Sequence, residues 1–206
     1  TAGAGSLTLE SPVGANEPLS SFSITGGSFT LPEVTTAGDQ TYTTSGLIRL
    51  DGDLETTGPG SMTFDGGAFF NQDRVITTAG GADEHIEFLG GVRGNDASLT
   101  TNTTLGSVVF DRSVSVVNLT SNGSTELRGA AVSAEGLVLL GEDATRDTVL
   151  LTQTDSLVRS RASDVVFRSD VQGGRVLRVA VDPTASGNNI PIIRFENSVG
   201  DESALE

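Results

Sequence analysis

Gly60-Ser61-Met62-Thr63-Phe64-Asp65-Gly66-Gly67-Ala68-Phe69 holds two short runs in which every second residue is apolar, joined by an Asp-Gly-Gly corner. Alternation with period two is the signature of a half-buried strand, and Thr and Phe suit a pleated surface. Asp and Gly at the junction supply the local bonding or positive φ that a sharp corner requires. The stretch therefore reads strand, corner, strand.

The same pattern recurs along the chain. Its first half returns as Gly5-Ser6-Leu7-Thr8-Leu9, Gly27-Ser28-Phe29-Thr30-Leu31, Gly106-Ser107-Val108-Val109-Phe110 and Gly123-Ser124-Thr125-Glu126-Leu127. Its second half returns as Phe88-Leu89-Gly90-Gly91-Val92, Phe110-Asp111-Arg112-Ser113-Val114 and Phe167-Arg168-Ser169-Asp170-Val171. The steps from Leu9 to Leu31, from Phe64 to Phe88 and from Phe88 to Phe110 are nearly equal in length. A unit of about 20 to 25 residues with two or three short strands is the size of one coil of a parallel β-solenoid, where stacking buries a continuous core.

The expected fold is thus all-β, a right-handed parallel β-helix of roughly nine coils. The row Leu9, Leu31, Leu50, Phe64, Phe88, Phe110, Leu127, Leu139 and Phe167 is its expected core. The alternative is an antiparallel β-sandwich, which also has many short strands. Against it, Asn122-Gly123 is the one Asn-Gly hairpin dipeptide. Residues 1–204 read as a single segment of a longer repeat protein, and 183–204, with Pro183, Gly187-Asn188-Asn189 and Pro191, as an irregular final coil or partly detached tail. Leu205-Glu206 reads as a cloning scar and is set aside.

Composition narrows the function. The 206 residues include no Cys, which excludes a disulfide framework, a thiolate nucleophile and Cys-ligated metal. A net charge of −15 repels phosphate backbones, so nucleic acid is not an expected partner. No run approaches the roughly 18 apolar residues of a membrane helix, so insertion is not expected either. All 12 basic residues are Arg, and guanidinium forks suit planar anions.

Charge is unevenly placed. Residues 1–60 hold seven acids against Arg49 alone, whereas 155–180 hold Arg159, Arg161, Arg168, Arg175 and Arg178 against Asp155, Asp164 and Asp170. Those five arginines are the candidate ligand-binding residues, for an anionic glycan or a cell-surface protein; the opposing reading is pairing with acids of neighbouring coils. Calcium is the one candidate ion. Asp51-Gly52-Asp53, Asp83-Glu84 and Glu142-Asp143 offer oxygen ligands, but neither an EF-hand loop nor a glycine-rich calcium nonapeptide is present.

The sole imidazole, His85, lies in the strand-like Glu84-His85-Ile86-Glu87, so any Ser-His-Asp arrangement would have to be built around it. A polysaccharide-cleaving solenoid would instead need two carboxyl groups brought together from adjacent coils. Neither arrangement is legible in the sequence, and no enzyme is expected.

The stretch Thr35-Thr36-Ala37-Gly38-Asp39-Gln40-Thr41-Tyr42, with Asp83-Glu84-His85-Ile86-Glu87-Phe88 further on, resembles repeat segments of filamentous-haemagglutinin-like and autotransporter-like bacterial adhesins. The likeness covers most of residues 5–132 and weakens afterwards. It implies a secreted or surface-displayed right-handed β-helix, a structural or adhesive length of rod flanked by further repeats of the same chain. It carries over no catalytic residues. The alternatives are a polysaccharide-acting β-helix enzyme and a calcium-stabilised carbohydrate-binding module.

Overall fold

The computed structural model describes residues 5–142, 147–182 and 190–200. Asp143, residues 183–189 and the Leu205-Glu206 pair lie outside the described residues. The described chain is built from 21 strands, and every pairing between them is parallel. A sandwich made of hairpins is therefore excluded. Instead the strands wind into a β-solenoid of about eight turns, right-handed as parallel crossovers are.

Each turn has three faces. Face I stacks Leu7, Phe29, Ile48, Ala68, Val92, Val114, Val132, Val158 and Val179 as one inward row. Nine rungs enclose eight intervals, which reconciles the nine expected coils with eight turns and gives a rod about 38 Å long at about 4.8 Å per rung. Face II stacks Val34, Leu54, Ile76, Thr101, Ser121, Leu140, Phe167 and Phe195. Face III stacks Ile24, Tyr42, Phe64, Phe88, Phe110, Leu127, Leu151 and Gly173.

The quoted decapeptide crosses a corner. Met62–Phe70 is one unbroken strand that begins on face III and ends on face I, turning at Gly66 with φ +148°. A Cβ at Gly66 would lie 2.4 Å from Thr44 Cγ2, so both the dihedral and the space demand glycine.

The expected core row divides among the faces. Leu31 and Leu50 belong to face I, Phe64, Phe88, Phe110 and Leu127 to face III, and Phe167 to face II. Leu9, at the first rung, is partly buried against the core. Leu139 is buried as expected, at 8% exposed, but on the outward row of face II between Thr120 and Val166, with Val138 and Leu140 in the inner cluster beside it. Val138-Leu139-Leu140 is apolar throughout, so no alternation marks which residue points outward.

Face III carries an aromatic column. Ring centroids of Phe22, Tyr42, Phe64, Phe88 and Phe110 follow one another at 6.0, 5.1, 4.7 and 5.4 Å. The rung spacing is close to a comfortable stacking distance, so parallel register itself piles the rings, each pair adding about 0.5–1.5 kcal/mol beyond burial. The Tyr42 hydroxyl, deep in the core, donates to Gln40 Oε1 at 2.6 Å, and burial pushes its pKa up. Gln40 in turn donates Nε2 to Glu55 O at 2.7 Å and Thr36 Oγ1 at 3.1 Å. This buried polar pair is fully bonded, as an interior amide must be.

The acidic composition has a structural use. Asp39 Oδ1 accepts from Ser61 N, Asp53 from Val75 N, Asp73 from Ser98 N, Asp164 from Ile192 N and Asp170 from Ser198 N, at 2.7–3.1 Å. Each bond ties one coil to the next at or beside the start of a strand, engaging a backbone N–H there. Asn118 does the same for Leu137 N at 2.8 Å.

Candidate functional site

Because side chains alternate, each face presents outward rows as well as inward ones. On face I one outward row runs Thr8, Thr30, Arg49, Phe69, Arg93, Ser115, Ser133, Arg159, Ala180. The row beside it includes Ser28, Leu47, Gly67, Gly91, Ser113, Ala131, Leu157 and Arg178. Together they bear four arginines and no carboxylate, in a chain of net charge −15. Face III is the opposite, with Asp65, Glu87, Glu126 and Asp170 on its outward positions. The solenoid thus gathers four arginines on these two rows, of which Arg49 and Arg159 are paired with the flanking Asp51 and Asp182.

The middle of face I is recessed. Gly67 and Gly91 occupy successive rungs where side chains would otherwise project, leaving a cleft of about 640 Å³ floored by Ala68 and Val92 and walled by Leu47, Phe69, Arg93 and Ser115. That volume is within the ordinary range for small-ligand sites. Leu47 is 55% exposed and Phe69 half-buried. Arg49 Nε donates to Asp51 Oδ1 at 2.7 Å, and both side chains are well exposed, so the pair is worth at most about 1 kcal/mol. Arg93 is exposed and makes no ion pair or hydrogen bond among the described residues. Apolar wall, open floor and free guanidinium suit a ring-bearing ligand with a carboxylate or sulfate.

The five arginines singled out in the sequence separate. Arg159 and Arg178 lie on the outward rows of face I, one rung apart. Arg161 and Arg168 follow the strands Ser156–Ser160 and Val165–Phe167, and Arg175 precedes Leu177–Val181, so these three stand at three different corners. Three of the five pair across coils: Arg159 with Asp182 at 2.5 Å, Arg161 with Glu135 at 2.6 Å and Arg168 with Glu196 at 3.8 Å. Arg175 Nε donates to Thr152 O at 3.2 Å. Sequence reasoning missed Arg49, Phe69 and Arg93. The available signal was the pair of Gly-Gly doublets, Gly66-Gly67 and Gly90-Gly91, spaced as Phe64 and Phe88 are and so one rung apart. Phe69 is also out of phase with its inward neighbours Ala68 and Phe70.

On face III, Arg128 bridges two rungs, donating Nη1 to Glu87 Oε1 at 2.6 Å and Nε to Glu126 Oε1 at 3.0 Å. Burial disfavours the Glu126 carboxylate, but hydrogen bonds from Arg128 and Thr152 outweigh it and hold its pKa below the usual value. A glycosidase acid needs the reverse shift. His85 Nε2 faces Glu87 Oε2 at 4.0 Å, and Ser61 Oγ is engaged by the His85 backbone N–H at 3.1 Å. Asp51 and Asp53, the candidate calcium ligands, have different duties, on Arg49 and on Val75 N. Among the described residues no three of His, Asp or Glu converge as a metal site. Nor, among them, is any helix long and apolar enough to cross a membrane.

Comparison with protein-family models, curated proteins and solved structures finds no match. The class is therefore set by the fold: a parallel β-solenoid, compatible with an adhesive rod or with a β-helix enzyme.

Proposed function

We propose that this chain is a non-catalytic segment of a large secreted or surface-displayed bacterial protein, with further repeats of the same chain on either side, and that it mediates attachment by laying face I against an anionic glycan. One observation carries the reading: the outward rows of face I hold Arg49, Arg93, Arg159 and Arg178 with no carboxylate, although acids outnumber bases 27 to 12 overall. A polyanion meets no carboxylate on these two rows, where Arg93 and Arg178 make no ion pair among the described residues, and stacked strands offer an extended polymer a continuous surface.

The test compares two quadruple variants of equal charge. Replacing Arg49, Arg93, Arg159 and Arg178 by Gln is expected to abolish salt-sensitive binding to acidic polysaccharides. Replacing Arg112, Arg161, Arg168 and Arg175 by Gln leaves face I intact and is expected to weaken binding far less. Equal losses in the two would mean that charge total, not face I, governs attachment.

A further inference from the structure

We infer that the Phe69 cleft reads its ligand with a two-rung period, taking a β-linked chain that runs along the rod axis and bears a uronate on every second sugar. The inference rests on the proposed binding role of face I and adds the position and spacing of the ligand.

Arg49, Phe69 and Arg93 are consecutive on one outward row, each paired with the next in parallel register. The two arginines are therefore separated by two rungs, about 9.6 Å along the axis. An extended chain of β-linked pyranoses advances by close to one rung per sugar, and like substituents on alternate sugars project to the same side. Carboxylates on sugars one and three then fall opposite Arg49 and Arg93, and the ring between them comes to Phe69.

The walls fit that arrangement. Phe69 and Leu47 offer apolar surface to an uncharged ring, and the missing side chains of Gly67 and Gly91 leave room for its bulk. A Cβ at Gly67 would come 3.3 Å from Leu47 Cδ2, and one at Gly91 would come 3.3 Å from Ser113 Oγ, so even alanine begins to fill the cleft. Arg93 lines the cleft with all its donors open, whereas Arg49 lines the neighbouring recess with Asp51, Asn71 and Gln72 and would swing off Asp51 to meet a ligand carboxylate. Guanidinium forks of this kind grip carboxylates bidentately. Farther up the row Ser115 and Ser133 carry no charge, so the two-rung pattern occurs once, around Phe69.

The decisive variant moves charge without changing it. Arg93→Ser combined with Ser115→Arg shifts one guanidinium a single rung along the row. The probe is a tetrasaccharide alternating β-glucuronate with N-acetylglucosamine, beside its carboxyl-reduced form, with affinity read by calorimetry and folding checked by circular dichroism. The wild-type chain is expected to bind the acidic probe at least tenfold better than the reduced one. The relocated variant and Phe69→Ala are each expected to lose about tenfold. If the relocated variant binds like the wild type while the face I quadruple variant does not bind, the two-rung register is overturned and general anionic attachment stands. If the folded wild-type chain binds no acidic glycan at all, both fall.

Discussion

Asn122 Nδ2 donates to Asn102 Oδ1 at 2.8 Å, and Asn102 Nδ2 donates in turn to Thr77 Oγ1 at 3.1 Å, so three outward side chains on successive rungs of face II form a directed chain. The chain can run either way, because the Thr77 hydroxyl both donates and accepts. Asn102→Asp leaves an acceptor that both Asn122 and the Thr77 hydroxyl can serve, and its melting temperature is expected within about 2 °C of the wild type. Asn122→Asp reverses the chain, the Asn102 amide turning so that Nδ2 donates to the new carboxylate while the Thr77 hydroxyl donates to Oδ1, and it too is expected near the wild type. Asn102→Ala breaks both bonds, at a cost of about 1–2 kcal/mol. Thermal melts of the three variants check the ordering.

Gly90 and Gly91 are neighbours with opposite expected tolerance. A Cβ at Gly90 would meet Gly66 O at 2.1 Å, a backbone atom that cannot step aside, so Gly90→Ala is expected to lower the melting temperature sharply. Gly91→Ala meets only Ser113, Oγ at 3.3 Å and O at 3.5 Å, and should fold while weakening glycan binding. A melt and a binding isotherm on both separate these outcomes.

The buried Tyr42–Gln40 bond predicts that removing a hydroxyl matters more than its size suggests. Tyr42→Phe keeps the ring column but strands Gln40 Oε1 in the core, at an expected cost of about 1–3 kcal/mol. Denaturant unfolding measures it. A neutral result would mean that another donor reaches Gln40.

Acid should loosen the Arg128 clamp. The folded-state pKa of Glu126 lies below its ordinary value, so Glu126 contributes stability that is present above that ordinary value and lost as pH falls through the folded one. Glu126→Gln is therefore expected to lower stability at neutral and alkaline pH and to flatten the acid side, so that the two curves converge as pH falls through the folded-state pKa. Melting temperature recorded from neutral pH down through the carboxylate range for both chains tests this.

Carboxylates that tie coils together predict local rather than global weakening. Asp73→Ala removes the acceptor for Ser98 N, whereas Asp73→Asn retains one. In a solenoid whose stability is a sum of neighbour terms, amide exchange should quicken at Ser98 and the coils beside it in the alanine variant, and little in the asparagine variant.

The fold was legible where a row stayed on one face. Phe64, Phe88 and Phe110 share face III, so the two nearly equal steps between them each register one turn. Legibility failed where coil length varied. The coil from Val114 to Val132 is markedly shorter than the one from Val132 to Val158, the difference being taken up at corners that carry no periodic signal. The Gly-Ser opening misleads for a related reason: Ser28 begins a strand of face I, and Ser61 precedes one of face III. The candidate site was hidden more deeply. Arg49 and Arg93 are distant in sequence and become near neighbours only through two unequal coils, so their common row cannot be read until register is known. Arg159 and Arg178 reached face I together, but the corners dispersed Arg161, Arg168 and Arg175 among different partners.

The side-chain bonds from Asp39, Asp53, Asp73, Asp164 and Asp170 run from one coil to the next, as the strand ladders do, and so lie along the length of the rod. Tension between the two ends of this chain would draw on them in series, each coil boundary bearing the whole load while its neighbours wait. A stack whose stability is a sum of neighbour terms is expected to yield one turn at a time, each release lengthening the chain and relaxing the force on what remains. In the attachment role proposed above, these five aspartates would thus also serve as a shock absorber.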